Sequence, residues 1–135
     1  GDLVYTDKKD INKVFRCWKS GVFSISLLNK GWMPPHPTLF LRREVYQKYG
    51  VFDTSFKIAG DYDFMLRILK DDTTIKYLPK LLYKMRVGGE SNRSIKNILY
   101  KTKEDLRAMR KNGIDKPFLA LFYKNISKLI QLVKH

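Results

Sequence analysis

The chain predicts an α/β fold of short mixed strands and helices, finished by two amphipathic helices. Three observations carry this. Short runs rich in β-branched and aromatic residues recur through residues 2–18, 38–41 and 75–86. Apolar residues at helical spacing occupy 61–70 and 94–133. Clusters of Pro and Gly mark the joints between them. At 135 residues, 44% of them hydrophobic, the chain is long enough for one domain with a sizeable core.

Asp2-Leu3-Val4-Tyr5-Thr6 and Lys13-Val14-Phe15-Arg16-Cys17-Trp18 read as two strands of a hairpin or meander, separated by the polar run 7–12. Phe23 to Leu28 fits one or two helical turns. Gly31 to Pro37 carries Pro34, Pro35 and Pro37, which remove donors and force extended backbone, so it reads as a stiff loop presenting Trp32 and His36. Thr38 to Leu41 reads as a strand, and Arg43 to Tyr49 as a short helix closed by Gly50 in a left-handed cap. After a loop over 51–59, Asp61 to Lys70 returns to helix, with Phe64, Met65, Ile68 and Leu69 facing the core. Ile75 to Leu78 and Leu81 to Arg86 read as strands about Pro79, the second ended by Gly88-Gly89.

Two helices follow. Ser94 to Asn112 places Ile95, Ile98, Leu99, Thr102, Leu106 and Met109 on one stripe. Pro117 opens the other, whose broad stripe runs Phe118, Leu121, Phe122, Ile126, Leu129, Ile130 and Val133, with Lys124, Lys128, Gln131 and Lys134 opposite. The organisation expected is a main portion over 1–92 and a basic helical extension over 93–135.

Composition narrows the function classes. The single cysteine, Cys17, makes no internal disulfide and has no partners at metal-ligand spacing, which fits a reducing compartment. No apolar run approaches the roughly 20 residues needed to cross a bilayer. A first residue of Gly rather than Met, followed at once by a strand-like segment, points to a piece of a longer protein. The net charge is +14, from 27 basic and 13 acidic side chains, and residues 93–135 hold 11 of the basic and 3 of the acidic ones. Such a field attracts nucleic acid, anionic lipid or phosphorylated small molecules, and charge alone does not choose among them.

The most informative motif is Gly60-Asp61-Tyr62-Asp63-Phe64-Met65-Leu66-Arg67, which sets two carboxylates at the mouth of an apolar helix. A carboxylate there is either a cap for free backbone N–H groups or a base, since the same N–H groups favour the anion that accepts a proton. Asp63, in the same first turn, reads as a cap or a partner for an arginine.

Gly1-Asp2-Leu3-Val4-Tyr5, Pro34-Pro35-His36-Pro37-Thr38, the Gly60 to Arg67 motif and Arg86-Val87-Gly88-Gly89-Glu90-Ser91 stand in the order seen in family 2 glycosyltransferases. The chain resembles the C-terminal half of such an enzyme, of the kind that builds bacterial capsular or exopolysaccharide. The match rests on motifs from Gly1 to about Asn92 and on helical pattern beyond. The resemblance implies a GT-A nucleotide-diphospho-sugar transferase fold and an inverting transfer from a nucleotide-sugar donor to a saccharide or lipid-linked acceptor. The catalytic base would fall on Asp61.

It also implies a divalent metal, Mg or Mn, in the full-length enzyme, with ligands mostly outside these residues, so that this chain alone transfers no sugar. Asp61-Tyr62-Asp63 opens a helix, whereas the family's metal-binding Asp-x-Asp lies on a loop after a strand, so the metal reading of this pair is rejected. Gly60 stands where the family usually has Glu, and Gly88 where it often has His, which removes the contacts ascribed to those side chains.

Around Asp61 the acceptor-side residues implied are His36, Trp32, Asp63, Arg86, Gly88, Gly89 and Ser91. Each has a plainer alternative. His36 serves the site or only the loop; Trp32 stacks on a sugar ring or fixes the loop to the core. Arg86 with Gly88, Gly89 and Ser91 forms a phosphate-facing loop or an ordinary turn.

A rival reading is a non-catalytic basic module. Aromatic residues are plentiful, with eight Tyr and eight Phe, but they alternate into strands and helical stripes, and no zinc-finger spacing or RNP motif is present, so nucleic acid is not the expected partner. The two basic helices are expected either to pack on the core, to pair two copies of the chain, or to lie on an anionic membrane surface. The setting expected is cytoplasmic, peripheral on the inner face of the cell membrane in the last case.

Overall fold

A computed structural model describes residues 1–71, 74–88 and 94–133, with backbone alone for 129–133. The fold is mixed α/β: a three-stranded sheet in the order β2-β1-β3, with helices packed beside it. Strand β1 (Asp2–Thr6) is central and buries Leu3, Val4 and Thr6, whereas the edge strands β2 (Val14–Trp18) and β3 (Leu81–Arg86) have no fully buried residue. β2 runs antiparallel and β3 parallel to β1.

The β1–β2 connection is shaped by short acidic side chains. Asp7 Oδ1 accepts from the N–H groups of Lys9 (2.8 Å) and Asp10 (3.2 Å), and Asp10 Oδ1 accepts from that of Asn12 (2.9 Å). These side-chain bonds replace a regular ladder locally. A parallel partner for β1 requires a long crossover. Residues 19–80 supply it, through 3-10 segments at Ile25–Lys30 and His36–Thr38 and helices α1 (Arg43–Tyr49) and α2 (Gly60–Leu69).

Two segments expected as strands are not strands. Thr38 closes a 3-10 turn: its hydroxyl lies 2.9 Å from the Pro35 carbonyl and 2.8 Å from that of Gly1, and the Leu39 N–H donates to His36 O at 3.0 Å. The donors a ladder needs are spent inside the turn. Residues 75–78 also lack a ladder; there the Tyr77 hydroxyl lies 2.9 Å from each oxygen of Asp2 and ties the crossover to β1. Gly50 ends α1 at φ 76 and ψ −171, so it has the positive φ expected but an extended rather than left-handed helical conformation.

Helix α2 is the core element. Phe64, Met65, Leu66, Ile68 and Leu69 are buried, and they pack with Leu28, Phe56, Ala108, Met109, Ile114 and Ala120 in one cluster. Residues 93–135 therefore contribute to the same core as the residues before them. Ser94 caps α3 (Ile95–Lys111) by accepting from the Asn97 N–H at 3.1 Å.

The apolar stripes of the last two helices are only partly used by the core: Met109 of one is buried in it and Leu121 of the other packs against it. On α3 the buried side chains are Glu104, Asp105, Ala108 and Met109, while Ile95, Ile98 and Leu99 are exposed. On α4 (Pro117–Val133) Ala120 and Lys124 are buried, and Phe118, Leu119, Phe122 and Tyr123 are exposed. Charge explains the choice. Glu104 is held by three backbone N–H groups of the loop before α2, and Asp105 pairs with Lys101 and Lys124, so polar partners rotate both helices against their apolar stripes.

Candidate active site

One face of the sheet is the floor of a cavity of about 560 Å³. The register aligns Tyr5 with Arg16 across β2 and with Met85 across β3, and Leu3 with Trp18; these five side chains share that face and line the cavity. The mouth of α2 forms one wall, α3 and α4 another, and the loop bearing Trp32 and His36 the rim.

Asp61 enters this cavity from the second residue of α2. It is not the helix cap. That position is Ala59, which makes no side-chain cap bond; its N–H and those of Lys57 and Ile58 are taken by Glu104, at 2.8 to 2.9 Å. Asp61 Oδ1 accepts from the N–H of the following residue, Tyr62, at 2.7 Å. Among the described residues its other oxygen has no hydrogen bond, and the side chain is half-buried. Its charge is felt across the cavity at Tyr5: burial raises the Tyr5 hydroxyl pKa, Arg16 opposes that, and Asp61 adds to it. A carboxylate with one oxygen fixed and the other uncommitted in a cavity has the geometry of a proton acceptor.

Asp63 has the opposite environment and corrects its expected place among substrate contacts. It is fully buried. Its Oδ2 pairs with Arg67 at 2.9 Å and Lys111 at 3.1 Å, and its Oδ1 accepts from the Asn112 side chain at 2.9 Å. This is the arginine pairing open to it, extended into a clamp between α2 and the end of α3. Because Asp61 and Asp63 sit in separate surroundings, Asp61-Tyr62-Asp63 does not converge on one ion. Among the described residues no three His, Cys, Asp or Glu side chains are grouped to hold a metal.

His36 and Trp32 both line the cavity with Asp61. The His36 ring stands edge-on to Phe52 with centroids 5.7 Å apart. Trp32 is anchored: its indole N–H donates to Ser20 O at 3.0 Å and its ring packs 5.3 Å from that of Phe23. It thus fixes the loop to the core and also presents an indole face to the cavity. Arg86 is exposed at the end of β3, where strand alternation points it away from the face carrying Met85, and neither it nor Gly88 lines the cavity. Gly88 has φ 97, and a side chain there would meet the Lys8 ammonium stem. The structure therefore does not bring Arg86 and Gly88 to Asp61, and Gly89 and Ser91 lie outside the described residues.

Sequence reasoning missed the charged end of the cavity. Arg16 lies over the rings of Tyr5 and Trp18, at 4.8 and 5.2 Å from their centroids. Lys124, though lysine, is buried; its ammonium stands 3.1 Å above the Tyr62 ring centroid and 3.0 Å from Asp105 Oδ1. Burial lowers its pKa to about 7, Asp105 opposing and Lys101 and Lys128 reinforcing the shift; Lys128 is lowered to about 8, again mainly by burial. Asp105 remains below its ordinary value: burial pushes it up, and the attraction of Lys124 and Lys101 outweighs that. The one signal available was the four-residue spacing of Lys101 with Asp105 and of Lys124 with Lys128, which puts each pair on one helical face.

Comparison with protein-family models, with curated proteins and with solved structures finds no match.

Proposed function

We propose that this chain is the acceptor-side portion of an inverting glycosyltransferase catalytic domain of the GT-A type, with Asp61 as general base. The single observation that carries the reading is the contrast within one helical turn: Asp63 is buried and fully paired, whereas Asp61 stands in the cavity with one oxygen uncommitted. The order of motifs along the chain supports it, as does the mixed α/β fold.

In this reading the acceptor hydroxyl is placed between Asp61 and the donor sugar. Its oxygen attacks the anomeric carbon, the proton passes to the Asp61 carboxylate, and the bond from that carbon to the nucleotide diphosphate breaks opposite the attack, inverting the centre. Trp32 offers an apolar face for a sugar ring, and His36 stands at the rim of the same space. In this reading the metal, and the nucleoside and sugar of the donor, are held by residues outside this chain.

The reading also places the α3–α4 region against an anionic membrane surface where a lipid-linked acceptor resides. Support comes from the exposed Ile95, Leu99, Phe118 and Phe122 on two helices rich in lysine. No helix among the described residues is long and apolar enough to cross a membrane. The decisive experiment is Asp61→Asn in the polypeptide that combines this chain with the donor-binding residues: transfer should collapse while sugar-nucleotide binding is unchanged. Retained turnover would remove Asp61 as the base.

A further inference from the structure

We propose that the inner corner of the cavity, walled by Arg16, Lys101, Lys124 and Lys128, is a binding subsite for the phosphoryl group of a phosphate ester. The inference goes beyond proton transfer at Asp61 and does not depend on it.

Helices α3 and α4 bring Lys101, Lys124 and Lys128 together around one carboxylate, Asp105, and Arg16 of β2 lines the same part of the cavity near Lys128. Asp105 is already shared between Lys101 and Lys124. Lys128 has a long contact of 3.4 Å to the neutral Asn125 side chain. The Lys124 side chain is 5% exposed, and its ammonium has no acceptor in hydrogen-bonding geometry; the Tyr62 hydroxyl is likewise buried without a partner. Both residues line the cavity.

Such an arrangement is costly for a fold that has no ligand to place there, because buried charge in excess of its counter-charge lacks the solvation it had in water. On α4 Phe118 and Phe122 are exposed while Lys124 is buried. Burial is the main cause of the lowered pKa values of Lys124 and Lys128, and the neighbouring lysines add to it.

A phosphate ester offsets the excess charge. Among the described residues the three lysines carry two positive charges beyond Asp105; a phosphate monoester brings nearly two negative charges and three acceptor oxygens, enough for the lysine ammoniums and the Tyr62 hydroxyl, whereas a carboxylate brings one charge. An ester rather than free phosphate is favoured because the cavity continues past Tyr5 and Trp18 to Asp61, leaving room for the rest of the molecule. Two sources share this chemistry: a nucleotide diphosphate, or a phosphate on the acceptor.

The test is calorimetric titration of the chain with uridine diphosphate and with octyl phosphate, repeated on Lys124→Met and Lys128→Gln. Saturable binding to the wild type, weakened about tenfold or more in both variants, is the expected result. Met fills the lysine volume and leaves Asp105 paired with Lys101, so ligand-free Lys124→Met should melt at or above the wild-type temperature. Lys128→Gln, at a half-buried position, carries the test if the other variant does not fold. Tighter binding of octyl phosphate assigns the phosphate to the acceptor, and tighter binding of uridine diphosphate assigns it to the nucleotide; either supports the subsite. No saturable binding of either ester at millimolar concentration, or equal affinity in wild type and variants, overturns the proposal. The titrations read binding without transfer, which keeps this outcome separate from the fate of the base.

Discussion

Glu104→Gln is the most informative change to the scaffold beneath Asp61. The wild-type carboxylate is 5% exposed; Oε1 accepts from Lys57 N–H at 2.8 Å, and Oε2 from Ile58 and Ala59 N–H at 2.8 and 2.9 Å. A glutamine keeps its carbonyl for the two-donor side, loses the charge on both those bonds, and turns its NH2 group against the Lys57 donor. Charge-assisted hydrogen bonds are each worth about 1.5–3 kcal/mol and a buried donor left unpaired costs about 1–3 kcal/mol. Since the three bonds share one carboxylate, a total of about 3 kcal/mol is expected, a large share of the roughly 5–15 kcal/mol of a typical domain.

The sign of the pH dependence follows from the same contacts. Burial pushes Glu104 up, but the three N–H bonds and Arg107 outweigh it and hold the folded-state pKa below the ordinary 4.5. Its contribution is therefore complete above the unfolded value and is lost as pH falls through the lowered one. Urea unfolding of wild type and variant should show the full gap at neutral pH and a smaller gap well below 4.5. A gap under about 0.5 kcal/mol at neutral pH, or one independent of pH, would refute the reasoning.

Asp63→Ala should lose about 3–5 kcal/mol in the same assay, because it strands Arg67, Lys111 and Asn112 around a vacated carboxylate site; Asp61→Asn, in the same helical turn, should lie within about 0.5 kcal/mol of wild type. Gly31→Ala should cost more than about 2 kcal/mol, since Gly31 has φ 66 and a Cβ there would overlap the Ala120 carbonyl of α4; a neutral effect would mean that the Ile25–Lys30 segment does not abut α4. Cosedimentation with anionic liposomes should occur at low salt, fall steeply as salt rises, and weaken in Phe118→Ser; absence of cosedimentation at low salt would sink the membrane reading.

The parts of the fold legible in the sequence were those where local and tertiary demands agree. Helix α2 reads within one residue of its boundaries because Phe64, Met65, Ile68 and Leu69 share a helical face that the core then buries. Strands β1, β2 and β3 read from their β-branched and aromatic runs. Thr38–Leu41 misled because its β propensity was real, yet Pro35 and Pro37 set a 3-10 turn that consumed the Thr38 and Leu39 donors. Stripes on α3 and α4 did not reveal which residues the core takes, because amphipathicity ranks apolar area alone, while Glu104, Asp105 and Lys124 are buried with polar partners on other elements.

The candidate site divides along the same line. Asp61, His36 and Trp32 were each visible as residues in a motif and meet in one cavity. The different fates of Asp61 and Asp63 depend on Lys111 and Asn112, 48 and 49 residues beyond Asp63, which no local pattern reveals. The lysine corner was hidden for a related reason: Lys124 and Lys128 looked like the solvated side of a helix.

The central claim is that Asp61 takes the acceptor proton. Transfer kinetics of wild type and Asp61→Asn, in the polypeptide that joins this chain to the donor-binding residues, test it most directly when donor affinity is measured beside them. The account predicts a turnover loss of about 10²–10⁴-fold with donor affinity unchanged. Turnover within about tenfold of wild type would contradict it.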